Sequence, residues 1–180
     1  MTRSARTALG FLCAALAGPA CGAAGSGKSG DEGDSAAVRG GPAMRLRLAA
    51  VDGGEIDLAN YRGRAVILHL FNTDSAAAAL DAEGLAELAR RQPKRATVIG
   101  ICLDPEGYPM AAAWRRALGL RYLIALSDEN LRAGTSPLGR VRVIPTTVVL
   151  DRAGRIARRI ERPLQPGEIE NAVAALFEAP

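Results

Sequence analysis

The stretch AVILHLFNTDSAAAALDAEGLAEL, residues 65–88, is where the fold is decided. Its first seven residues, Ala65–Phe71, are a nearly continuous apolar run of strand length. Such a run predicts a strand buried on both faces, as in a sheet covered by helices. Asp74 or Ser75 then supplies the cap of a following helix. Leu80, Leu85 and Leu88 fall near one stripe of that helix, with Asp81, Glu87, Arg90 and Arg91 elsewhere. Pro93 stops it. A second apolar run, 97–103 (TVIGICL), predicts another buried strand. Strand, helix and strand at these lengths make a βαβ unit with parallel strands.

Working outward, residues 45–51 alternate basic and apolar side chains. Asp52-Gly53-Gly54 is a turn signal, and 55–58 returns as a second short strand. On the other side, Pro109 suits the first turn of a helix whose apolar side carries Met110, Ala113, Trp114, Ala117 and Leu118. Gly119 caps its end, and 122–126 is a short strand. Thr146–Leu150 is a strand, Asp151-Arg152-Ala153-Gly154 a turn, and 155–160 comes back antiparallel. Pro166 opens a last helix with Ile169, Val173, Leu176 and Phe177 on its buried stripe. A parallel unit, an antiparallel hairpin and a closing helix require an α/β fold: a mixed central sheet with helices on both faces.

Composition narrows the function classes. Hydrophobic residues make up 48% of the 180, enough for a sizeable core. Aromatics are only 4%, which argues against a platform for stacking bases. The net charge is +4, but the basic residues are scattered and never run to five, so no nucleic acid is expected as partner. No apolar run reaches the ~18 to 20 residues of a membrane span. Three cysteines and one histidine are too few for a structural zinc site or a disulfide-dense scaffold. Neither a metal nor a cofactor is expected.

The first forty residues read differently. Arg3 and Arg6 form a basic start, 8–17 a short apolar core, and small residues follow. This is the pattern of an export signal over 1–20. Cys21 comes next and is followed by Gly22. A cysteine at this place resembles the lipidation site of bacterial lipoproteins, although Gly18 stands where that pattern prefers leucine. The protein is then either lipid-anchored at Cys21 or simply secreted. Residues 21–42, rich in Gly, Ser, Ala and Asp, read as a flexible tether. Residues 43–180 form the folded domain. The expected location is the cell envelope, on the periplasmic side.

The segment VRVIPTTVVLDRAGRI, 141–156, together with 65–88, resembles the thioredoxin-like fold. The similarity is to the TlpA/ResA-type, or redoxin, membrane-tethered thiol-disulfide reductases. It covers roughly 45–178. The resemblance implies that Pro145 is cis and faces the active site, and that the first helix opens with Cys-x-x-Cys. Here those positions read Ser75-Ala76-Ala77-Ala78, and Asp74 replaces the usual Trp before them. Thiol-disulfide exchange needs a thiolate, whose pKa a helix N-terminus lowers, and a second Cys to resolve the mixed disulfide. Serine does neither. Cys13 lies inside the signal and Cys21 in the tether, which leaves only Cys102 in the domain.

These residues point to a thioredoxin-like protein without the redox-active pair, acting as a peptide-binding or scaffold module. Its partners are extended peptide segments or envelope proteins, including an active reductase or a cytochrome-maturation component. In the family the backbone beside this proline pairs with extended substrate, so Ile144, Pro145 and Thr146 are the candidate binding residues. The alternative is a thiol-disulfide oxidoreductase working through Cys102 alone. That reading needs an exposed thiol with a lowered pKa, whereas a cysteine in GICLD reads more simply as a small core residue. His69 sits where thioredoxins often keep a buried proton-shuttling acid. A Ser75–His69 nucleophile pair lacks an orienting acid, and His69 reads as a neutral core histidine.

Overall fold

The structure is a computed structural model, and it describes residues 41–178. The expected export signal, Cys21 and all but the last two residues of the expected tether lie outside the described residues. In chain order the elements are β1 (Arg47–Ala49), β2 (Glu55–Asp57), a 3-10 turn (Leu58–Tyr61), β3 (Ala65–Phe71) and α1 (Ala76–Arg91). Then come β4 (Ala96–Cys102), α2 (Tyr108–Ala117), β5 (Leu123–Leu126), α3 (Glu129–Ala133), β6 (Thr146–Leu150), β7 (Ile156–Ile160) and α4 (Glu168–Glu178).

The central sheet has the order β5-β4-β3-β6-β7. β3, β4 and β5 run parallel, and β6 and β7 are antiparallel to their neighbours. Every residue of β3 is buried, because helices or loops cover both faces of the sheet. Alternation along the strand splits the core in two. Ala65, Ile67 and Phe71 pack with α1, α2 and α4. Val66, Leu68 and Leu70 pack on the other face with Leu131 of α3 and with Leu48, Ile56 and Leu58 from the hairpin and 3-10 turn. The β1–β2 hairpin is a separate small sheet. A bridge from Ala50 to Ala125 and the Val51 N–H to Ile124 C=O bond (2.9 Å) hold it to β5.

Several expectations need correction. Of the two cap residues expected for α1, Ser75 is the one used, its Oγ accepting the Ala78 N–H at 3.2 Å, but the helix phases differ from expectation. Leu80 is 70% exposed and Asp81 is buried, the reverse of the expected stripe. The real buried line of α1 is Ala78, Asp81, Ala82, Leu85 and Leu88, which keeps the helical period but is rotated toward α4. α2 shows the same error of phase. Trp114 is buried as expected, but its buried companions are Ala111 and Ala112, while Met110, Ala113 and Ala117 are exposed. Trp114 stacks on Phe71 with ring centroids 4.1 Å apart, and this contact fixes the rotation of α2. The short helix α3 carries no apolar period and gives no pattern signal. Asp128 caps it by accepting the Leu131 N–H at 2.8 Å. Leu176 and Phe177 of α4 are only partly buried.

Candidate functional site

Register brings the ends of three strands to one edge of the sheet. Phe71 at the end of β3 pairs with Cys102 at the end of β4, and Leu70 pairs with Thr146 at the start of β6. The loops 72–75, 103–107 and 141–145 therefore leave the sheet together, and the N-termini of α1 and α2 open from the same edge. The C-terminal edge of parallel strands is where ligand sites of open α/β sheets form.

Ser75-Ala76-Ala77-Ala78 occupies the start of α1. Ser75 is the cap, Ala76 is exposed and Ala78 is fully buried. Cys102 is fully buried. Its Sγ–H donates to Asp104 Oδ2 at 3.1 Å, and the same oxygen accepts the Thr73 N–H at 2.9 Å. Burial, aided by the Asp104 carboxylate, pushes the thiol up to about 12, against the ordinary 9.0. A reactive cysteine needs the opposite environment. The oxidoreductase reading through Cys102 therefore has no geometric support.

His69 is also fully buried, beneath the first turn of α1. Its Nδ1 lies 3.3 Å from Thr147 Oγ1, and its ring stacks at 5.8 Å on Phe71. Burial pulls its pKa down to about 4, opposed by the backbone of Ala78. The ring is neutral at physiological pH. Its Nε2 has no hydrogen-bond partner, and the hydrogen bond at Ser75 Oγ is the one it accepts from the Ala78 N–H. No Ser75–His69 pair forms. The lack of a side chain at Gly100, which pairs with His69, makes room here. A Cβ there would lie 3.1 Å from Phe71 Cε1 and 3.3 Å from Tyr122 Cε2.

The Ile144–Pro145 peptide bond is cis. Of the three candidate binding residues, Ile144 is exposed, whereas Pro145 and Thr146 are buried. The Thr146 hydroxyl donates to the Val143 carbonyl at 2.6 Å. The accessible part of this loop is therefore Val143–Ile144, with Val143 missed by sequence reading. Five large apolar side chains are exposed among the described residues, and four of them, Tyr108, Met110, Val143 and Ile144, stand in the segments leaving this edge. Asp104 was missed as well. Its only sequence signal is an acid two residues after Cys102 at a strand end. Among the described residues no group of three or more His, Cys, Asp or Glu gathers to hold a metal ion, and no helix is long and apolar enough to cross a membrane.

Sheet order, helix placement and the proline loop at the strand-end edge define a thioredoxin-like protein. The same architecture appears in solved structures. A thiol:disulfide interchange protein of the thioredoxin family from Chlorobium tepidum superposes with a TM-score of 0.67 at 24% identity, over 79% of this chain and 99% of its own. A DsbF homologue from Corynebacterium diphtheriae gives 0.67 at 22% identity, over 85% and 96%. A secreted thiol-disulfide isomerase from Corynebacterium glutamicum gives 0.66 at 24%, over 75% and 84%. The redoxin family model matches residues 33–176, and the chain belongs to the redoxin family. No curated protein matches it.

Proposed function

We propose that this redoxin is an exported, membrane-tethered binding or scaffold module of the cell envelope that has lost disulfide exchange and holds extended peptide segments at the Val143–Ile144 edge. One observation carries the reading. The helix N-terminus that would bear the nucleophile presents Ser75 and three alanines, while the one cysteine among the described residues is buried with a raised pKa. The exposed apolar edge supports the binding half. Ile144 is exposed and lies two residues ahead of β6, where an extended peptide could be laid beside the backbone. The basic start, apolar core and Cys21 support export and tethering.

The test is an insulin-reduction assay on the purified protein beside its S75C/A78C variant. The wild type should show no turnover, and the variant should gain a reducible disulfide and measurable turnover. A fluorescent unfolded peptide should bind both, and Ile144→Asp should weaken that binding at least about tenfold. Appreciable reduction of insulin by the wild type overturns the loss of redox chemistry, and indifference to Ile144→Asp overturns the binding edge.

A further inference from the structure

The end of the sheet opposite the peptide edge is basic. Ala65 at the start of β3 pairs with Ala96 at the start of β4, and Val66 pairs with Leu150 at the end of β6. Register therefore brings residues 62–64, 92–95 and 151–155 to one end of the domain. Arg64, Lys94, Arg95, Arg152 and Arg155 stand exposed in these segments. Among the described residues none of them is in an ion pair, unlike Arg90 and Arg91 at the end of α1, which share Glu87. The acids in the same segments and at the adjoining end of α4 are Asp151 and Glu178. Asp151 Oδ1 is occupied within its own turn, where it accepts the Arg155 N–H at 2.8 Å.

Two observations bear on what this end meets. Arg95 Cζ and Arg152 Cζ each lie 5.4 Å from the Phe177 ring centroid, so one ring gathers two guanidiniums from different segments. Like charges gathered in this way repel, and an anion set against both relieves the repulsion. The second observation is where the chain enters. The Met44 N–H donates to the Gly154 C=O at 2.7 Å, which seats the incoming chain on this same end. The segment 21–43 leading to it spans at most about 75 Å, so a tether alone leaves the orientation of the domain open. β3 runs about 20 Å from this end to the peptide edge.

We propose that this basic end docks on an anionic phospholipid surface, with Arg95 and Arg152 on lipid phosphates and Arg64, Lys94 and Arg155 in the headgroup layer. The inference rests on the membrane-tethered reading for what brings the domain to the bilayer, and it adds which face meets it. Basic side chains near a negatively charged bilayer are each attracted to it, and the attractions sum over a patch. Docked in this way, the domain turns the Val143–Ile144 edge away from the bilayer, open to extended segments. The five cations come from three separate segments, so strand register assembles the patch.

The test is vesicle co-sedimentation of the full-length chain carrying Cys21→Ser, which cannot be acylated there. Phosphatidylcholine vesicles are compared with mixed phosphatidylglycerol–phosphatidylcholine vesicles. The mixed vesicles should bind at least about tenfold tighter, and the difference should vanish at high salt. Lys94→Gln, Arg95→Gln and Arg152→Gln together should remove the preference. Arg132→Gln, Arg140→Gln and Arg142→Gln together, on segments at the other end of the sheet, change the net charge equally and should leave it. Arg95→Lys with Arg152→Lys keeps the charge and should keep most of the binding, which separates loss of the patch from loss of the fold. Equal binding to both vesicles, equal loss in the two triple variants, or tighter binding to duplex DNA than to the mixed vesicles overturns the proposal. Acylation of Cys21 is read separately, from the mass of the wild-type protein extracted from membranes, so failure of the tether and failure of the docking face are told apart.

Discussion

Asp104 accepts the Cys102 thiol and the Thr73 N–H with one oxygen, so it ties the loop ahead of α1 to the end of β4. The same contact helps hold Cys102 protonated and inward. In the native state the thiol should react with a chromogenic disulfide only as fast as the domain opens. The rate should be insensitive to pH through the ordinary thiol range and should rise on denaturation. A fast native reaction would contradict this burial. That Cys102 is a core residue was legible in the sequence, because it ends an apolar strand. The bridging role of Asp104 was not legible, because its second donor, Thr73, is 31 residues away and meets it only when β3 and β4 pair.

At the scale of elements, the turn between β6 and β7 joins distant parts of the chain. Gly154 C=O accepts the Met44 N–H at 2.7 Å, and Arg152 C=O accepts the Gly63 N–H at 2.8 Å. Gly154 has φ +77°, and a Cβ there would fall 1.2 Å from Arg62 Nη1. The Arg62 guanidinium is itself anchored, donating to Met44 C=O at 2.7 Å. Gly154→Ala should therefore cost more than about 1 kcal/mol, from left-handed strain and from displacing Arg62. In a double-mutant cycle read by urea unfolding, Arg62→Ala should reduce that cost, because it removes the clash and leaves only the strain. Strict additivity would show that Arg62 does not limit the turn. The turn itself was readable as Asp-Arg-Ala-Gly, but the guanidinium lying over its glycine was not.

Across the whole molecule, two buried groups set opposing pH dependences. Burial lowers His69 from 6.5 to about 4, so between these values the unfolded chain binds more protons and stability falls as pH falls. Burial raises Asp81 from 3.8 to about 6, so over that window the folded chain binds more protons and stability falls as pH rises. The two slopes oppose each other between about pH 4 and 6. Thermal melts across this range should show a shallower dependence for the wild type than for Asp81→Asn, whose stability should climb more steeply with pH. Parallel profiles would mean that Asp81 does not titrate as its burial implies. From the ordinary glutamate value of 4.5 downward, Glu168 adds an acid-side loss. Its burial pushes its pKa up, but Arg162, the Gln165 N–H and Arg158 outweigh that and hold it below the usual value.

The fold class, the order of the strands along the chain and the lack of a cysteine pair at the start of α1 are all legible in the amino-acid sequence. Each is written locally: an apolar run of strand length, a cap, a turn or a residue type at one position. Helix phase, by contrast, was decided by tertiary structure. Leu80 and Asp81 are neighbours on α1, and which of them is buried depends on where α4 and its preceding loop lie. Trp114 likewise takes its orientation from Phe71, 43 residues earlier in the chain. The binding edge and the basic end are collected from separate segments, so they exist only once β3 has paired with β4 and β6. A residue's partners follow from the packing of distant elements, and the periodicity of a single helix or strand carries no record of them.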